Sequence, residues 1–286
     1  MVGKSKASLL RVNVLKASGE KEPFSEEKVR QSLTRAGLSS AYQDKIIDHL
    51  EKYLYEGITT KEIYAFIRRL LRKLAPPVAA RYDLKKAIMD LGPTGYPFEL
   101  FMAGVLRQAG FRVGGSTVVA GHCIDHEVDF LAEKDGERFV GECKFHHYRG
   151  VKTDVKTALY VYARFLDIKE AKIGFFHQRP PTAAFLVTNT KLTSKAKTYG
   201  HCVGMKMMSW DYPASQSLRN LVEREGLHPI TCLLSLNSEE KRALLNEGFI
   251  FCHHLLKDSS WYPLVAKDKR EKVLLEAKAI FEREND

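Results

Sequence analysis

The sequence predicts a multidomain α/β protein: a β-hairpin with helices first, a central α/β region built around a second hairpin, and a small helical module last. Three observations predict it. The 286 residues exceed the usual size of one domain and leave room for two or three. Apolar alternating runs flank Asp135-Gly136, the signature of a hairpin with a two-residue turn. Helical periodicity fills most of the chain before Gly92-Pro93-Thr94-Gly95, where turn-forming residues break it. The expected domains are residues 1–92, 93–222 and 223–286.

In chain order, residues 9–16 read as a strand that turns at Ser18-Gly19 into a second short strand. Ser25 is an N-cap candidate for a helix carrying Val29 and Leu33, and Lys28 falls in its first turns. Further helices are expected over Ala41 to Tyr55, from a cap at Thr60, and after Pro76-Pro77. This makes a hairpin followed by four helices. The next helix starts near Thr94 or Gly95, with Pro97 in its first turn and Phe98, Phe101, Val105 and Leu106 as its apolar stripe. Glu99 lies off that stripe near the helix start, where the helix dipole alone accounts for it. Beyond the central hairpin, residues 154–168 read as a helix with Val155, Leu159, Phe165 and Leu166 inward. Lys191, Lys195 and Lys197 precede Tyr199 as either a backbone-contacting surface or a solvated helix face. Near the end, Ser238 with Lys241 and Leu244-Leu245 starts a helix that Gly248 ends, and residues 273–284 form an amphipathic helix. The pattern has the look of a degenerate helix-hairpin-helix unit, with a packing or dimerising module as the alternative.

A type I′ turn at Asp135-Gly136 fixes the hairpin register. Lys134 then faces Glu137, Phe130 faces Gly141, Asp129 faces Glu142, and Glu127 faces Lys144. Two opposed carboxylates repel unless a cation or a proton lies between them. Lys144 shares their face because side chains alternate along a strand. The spacing acid-x-lysine alone carries little, since it recurs at Glu26 to Lys28 and Asp154 to Lys156. Within the apolar strand FVGECKF, however, ionised groups are expensive. Two carboxylates and a lysine so placed suit Mg²⁺-assisted phosphodiester chemistry. The alternative is a Glu127–Lys144 salt bridge beside a solvated Asp129. His122, His126, His146 and His147 are also near in sequence, for phosphate contact, as surface residues or as ligands of a transition metal.

The N-terminal pattern resembles the ATP-cone, a nucleotide-binding regulatory domain. The match runs through Val14, Lys16 and Gly19, then Glu22 and Phe24, Lys28-Val29, the I-T-T-x-E-I run from Ile58 to Ile63, and Tyr82. The resemblance implies an adenine nucleotide, ATP or dATP, with Lys16 and Lys28 on its phosphates and Val14, Glu22 and Phe24 lining the site. Compact lysine charges suit that role. Ala17 departs from the family's usual second basic residue.

From Gly95 to about Pro213 the chain resembles the Mrr-like branch of the PD-(D/E)XK nuclease superfamily. The resemblance rests on Gly95 to Glu99, Ala109 to Phe111, Asp129-Phe130, Glu142 to Lys144, Val187 to Lys191 and Trp210 to Pro213. It implies a restriction-endonuclease-like mixed sheet flanked by helices with the hairpin at its centre. By the same resemblance Asp129, Glu142 and the Cys143 carbonyl would hold Mg²⁺ or Mn²⁺. Lys144 would orient or deprotonate the attacking water, Glu99 would complete the acidic site, and DNA would be the substrate. Cys123 to Asp129 departs from the family's commoner glycine-rich form.

Composition sets the outer limits. A net charge of +10 favours a polyanionic partner. Five cysteines without a C-x-x-C pair argue against a disulfide framework and a zinc ribbon. No apolar run reaches membrane-spanning length and no signal peptide is evident, so a cytoplasmic protein without membrane contact is expected. A homo-oligomer, most simply a dimer, is expected as well. The leading reading is a nucleotide-regulated, metal-dependent endodeoxyribonuclease, and its rival is a nucleotide-sensing DNA-binding regulator that does not cut.

Overall fold

The structure is a computed structural model that describes residues 12–16, 19–148, 150–171 and 179–281. Residues 9–11 of the expected first strand, Ala17, Ser18 and residues 282–284 of the expected last helix lie outside the described residues.

The first hairpin pairs β1 (Asn13–Leu15) with β2 (Lys21–Pro23), and Val14 stands opposite Glu22. It is followed by α1 (Glu26–Arg35), α2 (Ser40–Tyr53), α3 (Thr60–Leu74), α4 (Pro76–Tyr82) and α5 (Leu84–Met89). Ser25 caps α1 through the Lys28 N–H, as its position predicts. The cap of α3 is Thr59 rather than Thr60: Glu62 lies three residues after Thr59, and the two close a reciprocal capping box. One helix was expected after Pro76-Pro77, but Asp83 divides it into α4 and α5. The Asp83 carboxylate is buried, accepts a short hydrogen bond from the Tyr64 hydroxyl and faces Arg68 and Arg72. Leu33, Ile46, Leu50, Ile58, Ile67 and Leu71 close this part's own core.

Next come α6 (Tyr96–Gln108), β3 (Arg112–Gly114), β4 (Thr117–Ala120), β5 (Asp125–Val128), β6 (Phe130–Lys134), β7 (Glu137–Lys144) and β8 (Lys152–Thr153). They are followed by α7 (Val155–Glu170), β9 (Ala183–Thr188), β10 (Lys191–Leu192), α8 (Ser194–Cys202) and β11 (Lys206–Met208). Five strands form one sheet in the order β11-β9-β7-β6-β3. The pairs β11–β9 and β9–β7 are parallel and the rest antiparallel, so the sheet is mixed, as expected. Alternate residues take opposite faces. Phe130, Ala132, Phe139, Phe185 and Val187 pack with Phe98, Phe101 and Val105 of α6. Leu131, Val140, Ala184 and Leu186 pack with Val161, Phe165 and Ile168 of α7 and Ala196 of α8.

The inward stripe of α7 is therefore Ala158, Val161, Phe165 and Ile168. Leu159 and Leu166, expected inside, are exposed. Both stripes satisfy helical spacing, and packing on Leu131, Val140, Ala184 and Leu186 of the sheet selects the second.

The chain closes with α9 (Leu218–Glu225), α10 (Ser238–Asn246), α11 (His254–Lys257) and α12 (Arg270–Phe281). The helix α10 starts at Ser238, as expected, and Asn237 caps it through a capping box with Glu240. This segment packs on the α6 side and shares that core through Leu244, Phe251, Trp261, Val273 and Ile280. Gly104 permits the approach, because a β-carbon there would meet the Phe251 ring well inside van der Waals contact. No described helix is long and apolar enough to cross a membrane.

Candidate active site

The second hairpin forms with the register its turn dictates. Asp135 and Gly136 both adopt positive φ, 52° and 80°, as a type I′ turn requires. Lys134 stands opposite Glu137, and Phe130 opposite Gly141. The Phe130 ring lies directly over Gly141, in space a β-carbon would occupy.

Regular pairing stops one residue later. The Asp129 N–H still donates to the Gly141 carbonyl at 3.1 Å, but the chain then bends away so that β5 pairs with β4. Glu127 consequently faces Val118 rather than Lys144, and the expected cross-strand pair does not form. The departure frees Asp129 for another bond. Its Oδ2 accepts the Cys143 N–H at 2.7 Å, taking the place of a backbone acceptor beside β7. Asp129 is thus held against the Glu142-Cys143-Lys144 segment by its side chain, beyond the last strand bond, which its own N–H makes to Gly141.

Alternation along β7 does the rest. Cys143 is buried in the α6 layer, while Glu142 turns to α7 and accepts the Arg164 guanidinium at 2.6 Å. Arg164 also lies 5.3 Å from the Tyr160 ring centroid, a cation–π contact one helical turn back. Lys144 ends the strand and is exposed. Glu99 lies in the first turn of α6.

Glu99, Asp129 and Glu142 feel one another's charge. Burial raises the Glu99 carboxyl to about 7, helped by the charges of Asp129, Glu142 and Glu127. Asp129 is raised chiefly by burial, against the Cys143 N–H and the charge of Arg164. Glu142 is raised by burial and then by Asp129, against Arg164 and Lys144. Three half-buried carboxylates that resist ionising are an excess of negative charge, and carboxylate oxygens are the donors a hard dication prefers. The donor chemistry therefore fits Mg²⁺ or Mn²⁺. The side chains are not gathered round an ion: among the described residues no group of three or more His, Cys, Asp or Glu is placed to hold one. Arg164 neutralises Glu142 instead.

The histidines mostly have other partners. His126 pairs with Asp167 at 2.7 Å, and Asp167 also accepts the N–H groups of Cys123 and Ile124, tying down that loop. The His146 ring bonds the Thr153 hydroxyl through Nε2, while its main-chain N–H donates to Asn189 Oδ1, and His147 packs on Phe145. Arg164 is the site residue that sequence reasoning missed. Its available signal was Tyr160 and Arg164, four residues apart on the helix after the hairpin.

In the N-terminal part, the register that sets Val14 opposite Glu22 brings Lys16 and Lys28 onto one carboxylate. Glu22 meets Lys16 at 2.8 Å and Lys28 at 3.1 Å. The Lys16 hydrogen bond, then Lys28, holds Glu22 below the ordinary carboxylate range. Val14 is buried beneath the hairpin and Phe24 packs on the same core. Leu15 bridges in parallel to Thr59, which brings the I-T-T-x-E-I run beside the hairpin.

Residues 12–86 match the ATP cone domain, and residues 228–281 match the AF1548-like, C-terminal family. An uncharacterized protein of Archaeoglobus fulgidus is 39% identical over 183 residues, 63% of this chain and 99% of that protein. The crystal structure of the protein of unknown function AF1548 is similar with a TM-score of 0.55 and 34% identity, covering 65% of this chain and 98% of that one. The MspJI restriction endonuclease in complex with a 27-mer oligonucleotide has 14% identity and a TM-score of 0.36 over 69% of this chain and 39% of its own. A likeness that slight carries no argument.

Proposed function

The chain belongs to the AF1548-like family, and from that premise we propose that it is a Mg²⁺-dependent DNA endonuclease controlled by an adenine nucleotide, ATP or dATP, bound to its ATP cone. The single observation that carries the reading is Asp129, held by the Cys143 N–H beside Glu142. In this reading residues 1–92 sense the nucleotide, 93–222 carry the chemistry and 223–286 support it.

Asp129, Glu142 and the Cys143 carbonyl would hold the metal, which when bound polarises a phosphoryl oxygen and supplies an activated water. Lys144 ends β7 exposed, where its ammonium would orient the incoming water or, as the neutral amine, take its proton. Arg164 fixes the direction of Glu142, leaving its second oxygen for the metal. Glu99 completes the acidic site, and its raised pKa lets it carry a proton near neutrality. In-line attack at phosphorus would break the P–O3′ bond, leaving a 5′-phosphate and a 3′-hydroxyl. Lys16 and Lys28 would exchange Glu22 for nucleotide phosphates, with Val14 and Phe24 lining the site.

The rival reading is a nucleotide-sensing DNA-binding regulator without cleavage. The Arg164–Glu142 pair favours it, since a guanidinium already neutralises a would-be metal ligand. One experiment separates them. Wild type, Glu142→Ala and Lys144→Ala are incubated with supercoiled and linear DNA in Mg²⁺, with and without ATP or dATP. Nicking by wild type alone supports the nuclease. Equal, negligible nicking by all three proteins sinks it.

A further inference from the structure

A cavity of about 240 Å³ opens where the N-terminal helices meet the segment after the central sheet. Its walls carry four basic side chains: Arg35 at the end of α1, Arg81 on α4, Lys85 on α5 and Arg219 on α9. Glu223 is the acidic residue among its lining. Arg81 already donates to the carbonyls of Ala36 and Ala279, so it braces the wall. Arg35 and Arg219 are different. Arg219 lies 5.9 Å from the Trp210 ring centroid, and its Nε is buried without a hydrogen-bond partner. Arg35 makes no hydrogen bond or ion pair among the described residues. Partial burial, then the neighbouring charge of Arg219, pushes Arg35 below its ordinary range against the opposing charge of Glu223.

A buried N–H without an acceptor and two guanidinium groups in mutual repulsion are both costly. An oxyanion resolves both, because guanidinium forks match phosphate geometry. The volume lies below the ~300–1,000 Å³ of sites for drug-sized ligands. That favours a small ligand over a nucleoside triphosphate or a DNA strand. We propose that this cavity is a binding site for the phosphoryl group of a small molecule, held by Arg35 and Arg219, separate from the Lys16–Lys28 nucleotide site. Its walls come from both sides of the junction, so occupancy would tie the nucleotide-sensing helices to the rest of the chain. The proposal does not depend on nuclease activity.

The test uses the full-length chain, with inorganic phosphate and ribose 5-phosphate as probes at constant ionic strength. Calorimetric titration and thermal melting are recorded for wild type, Lys16→Ala, Arg35→Gln and Arg219→Gln. Both probes should bind and stabilise wild type and Lys16→Ala alike, with affinity falling at least tenfold in each arginine variant. Tighter binding of the ester assigns a phosphorylated metabolite; tighter binding of phosphate assigns the free ion. Arg35 is the more solvent-exposed of the two, so Arg35→Gln keeps the test valid if Arg219→Gln fails to fold. Absence of binding by wild type, undiminished binding by Arg35→Gln, or loss of binding in Lys16→Ala would each overturn the proposal.

Discussion

Replacing Glu99 with glutamine should make the protein more stable at alkaline pH. The Glu99 carboxyl moves from an ordinary value of 4.5 to about 7, chiefly through burial and then through the charges of Asp129 and Glu142. At about 1.36 kcal/mol per pKa unit the upper bound is about 3 kcal/mol. Partial solvent access reduces this to about 1–2 kcal/mol. The sign follows from proton binding: between 4.5 and about 7 the folded state keeps a proton that the unfolded state has lost. Stability from this group is therefore full below pH 4.5 and is lost as pH rises through about 7. Glutamine keeps the neutral shape and escapes that loss. Urea unfolding of wild type and Glu99→Gln in EDTA, from pH 4 to pH 8, should give matching stabilities at the acid end. At pH 8 the variant should lead by about 1–2 kcal/mol, roughly 2–8 °C in Tm. On the proposed function, saturating Mg²⁺ should shrink that lead. Parallel pH profiles in EDTA would refute the account of a carboxylate cluster.

Three further outcomes follow from particular contacts. Gly141→Ala forces the Phe130 ring out of its seat and should cost about 1–3 kcal/mol, partly recovered by Phe130→Leu in the same chain; chemical denaturation of the single and double variants checks this. Asp167→Asn weakens the side-chain hydrogen bond and removes the charge that together raise the Cys123 thiol, so alkylation of Cys123 should quicken several-fold at pH 8, as read by mass spectrometry; an unchanged rate would exclude Asp167 as the cause. Thr59→Ala breaks the capping box of α3 and should cost about 1 kcal/mol, with hydrogen exchange rising first at that helix start.

Local chemistry made much of the fold and site readable. Asp135-Gly136 permits positive φ at two successive positions, so it named the turn, and the turn named the pairs from Lys134–Glu137 to Phe130–Gly141. Ser25 could be recognised as a cap because its bond reaches only three residues ahead. Thr59 was harder to tell from Thr60, since each precedes helical residues and the deciding contact is with Glu62. Leu159 and Leu166 could not be told from Val161 and Ile168 by spacing, because burial on α7 depends on how the helix lies across the sheet.

What the sequence determined by itself was the order of elements, the mixed α/β class, the ATP cone in the first part of the chain and the hairpin that brings Asp129 near Glu142 to Lys144. These follow from residues a few positions apart. The tertiary structure decided what each carboxylate touches. It ended the ladder at Asp129 so that its side chain bonds the Cys143 N–H, sent Glu127 to another strand, and set Arg164 on Glu142. Strand departure and helix docking depend on contacts among distant segments, whose energies no local pattern in the chain encodes.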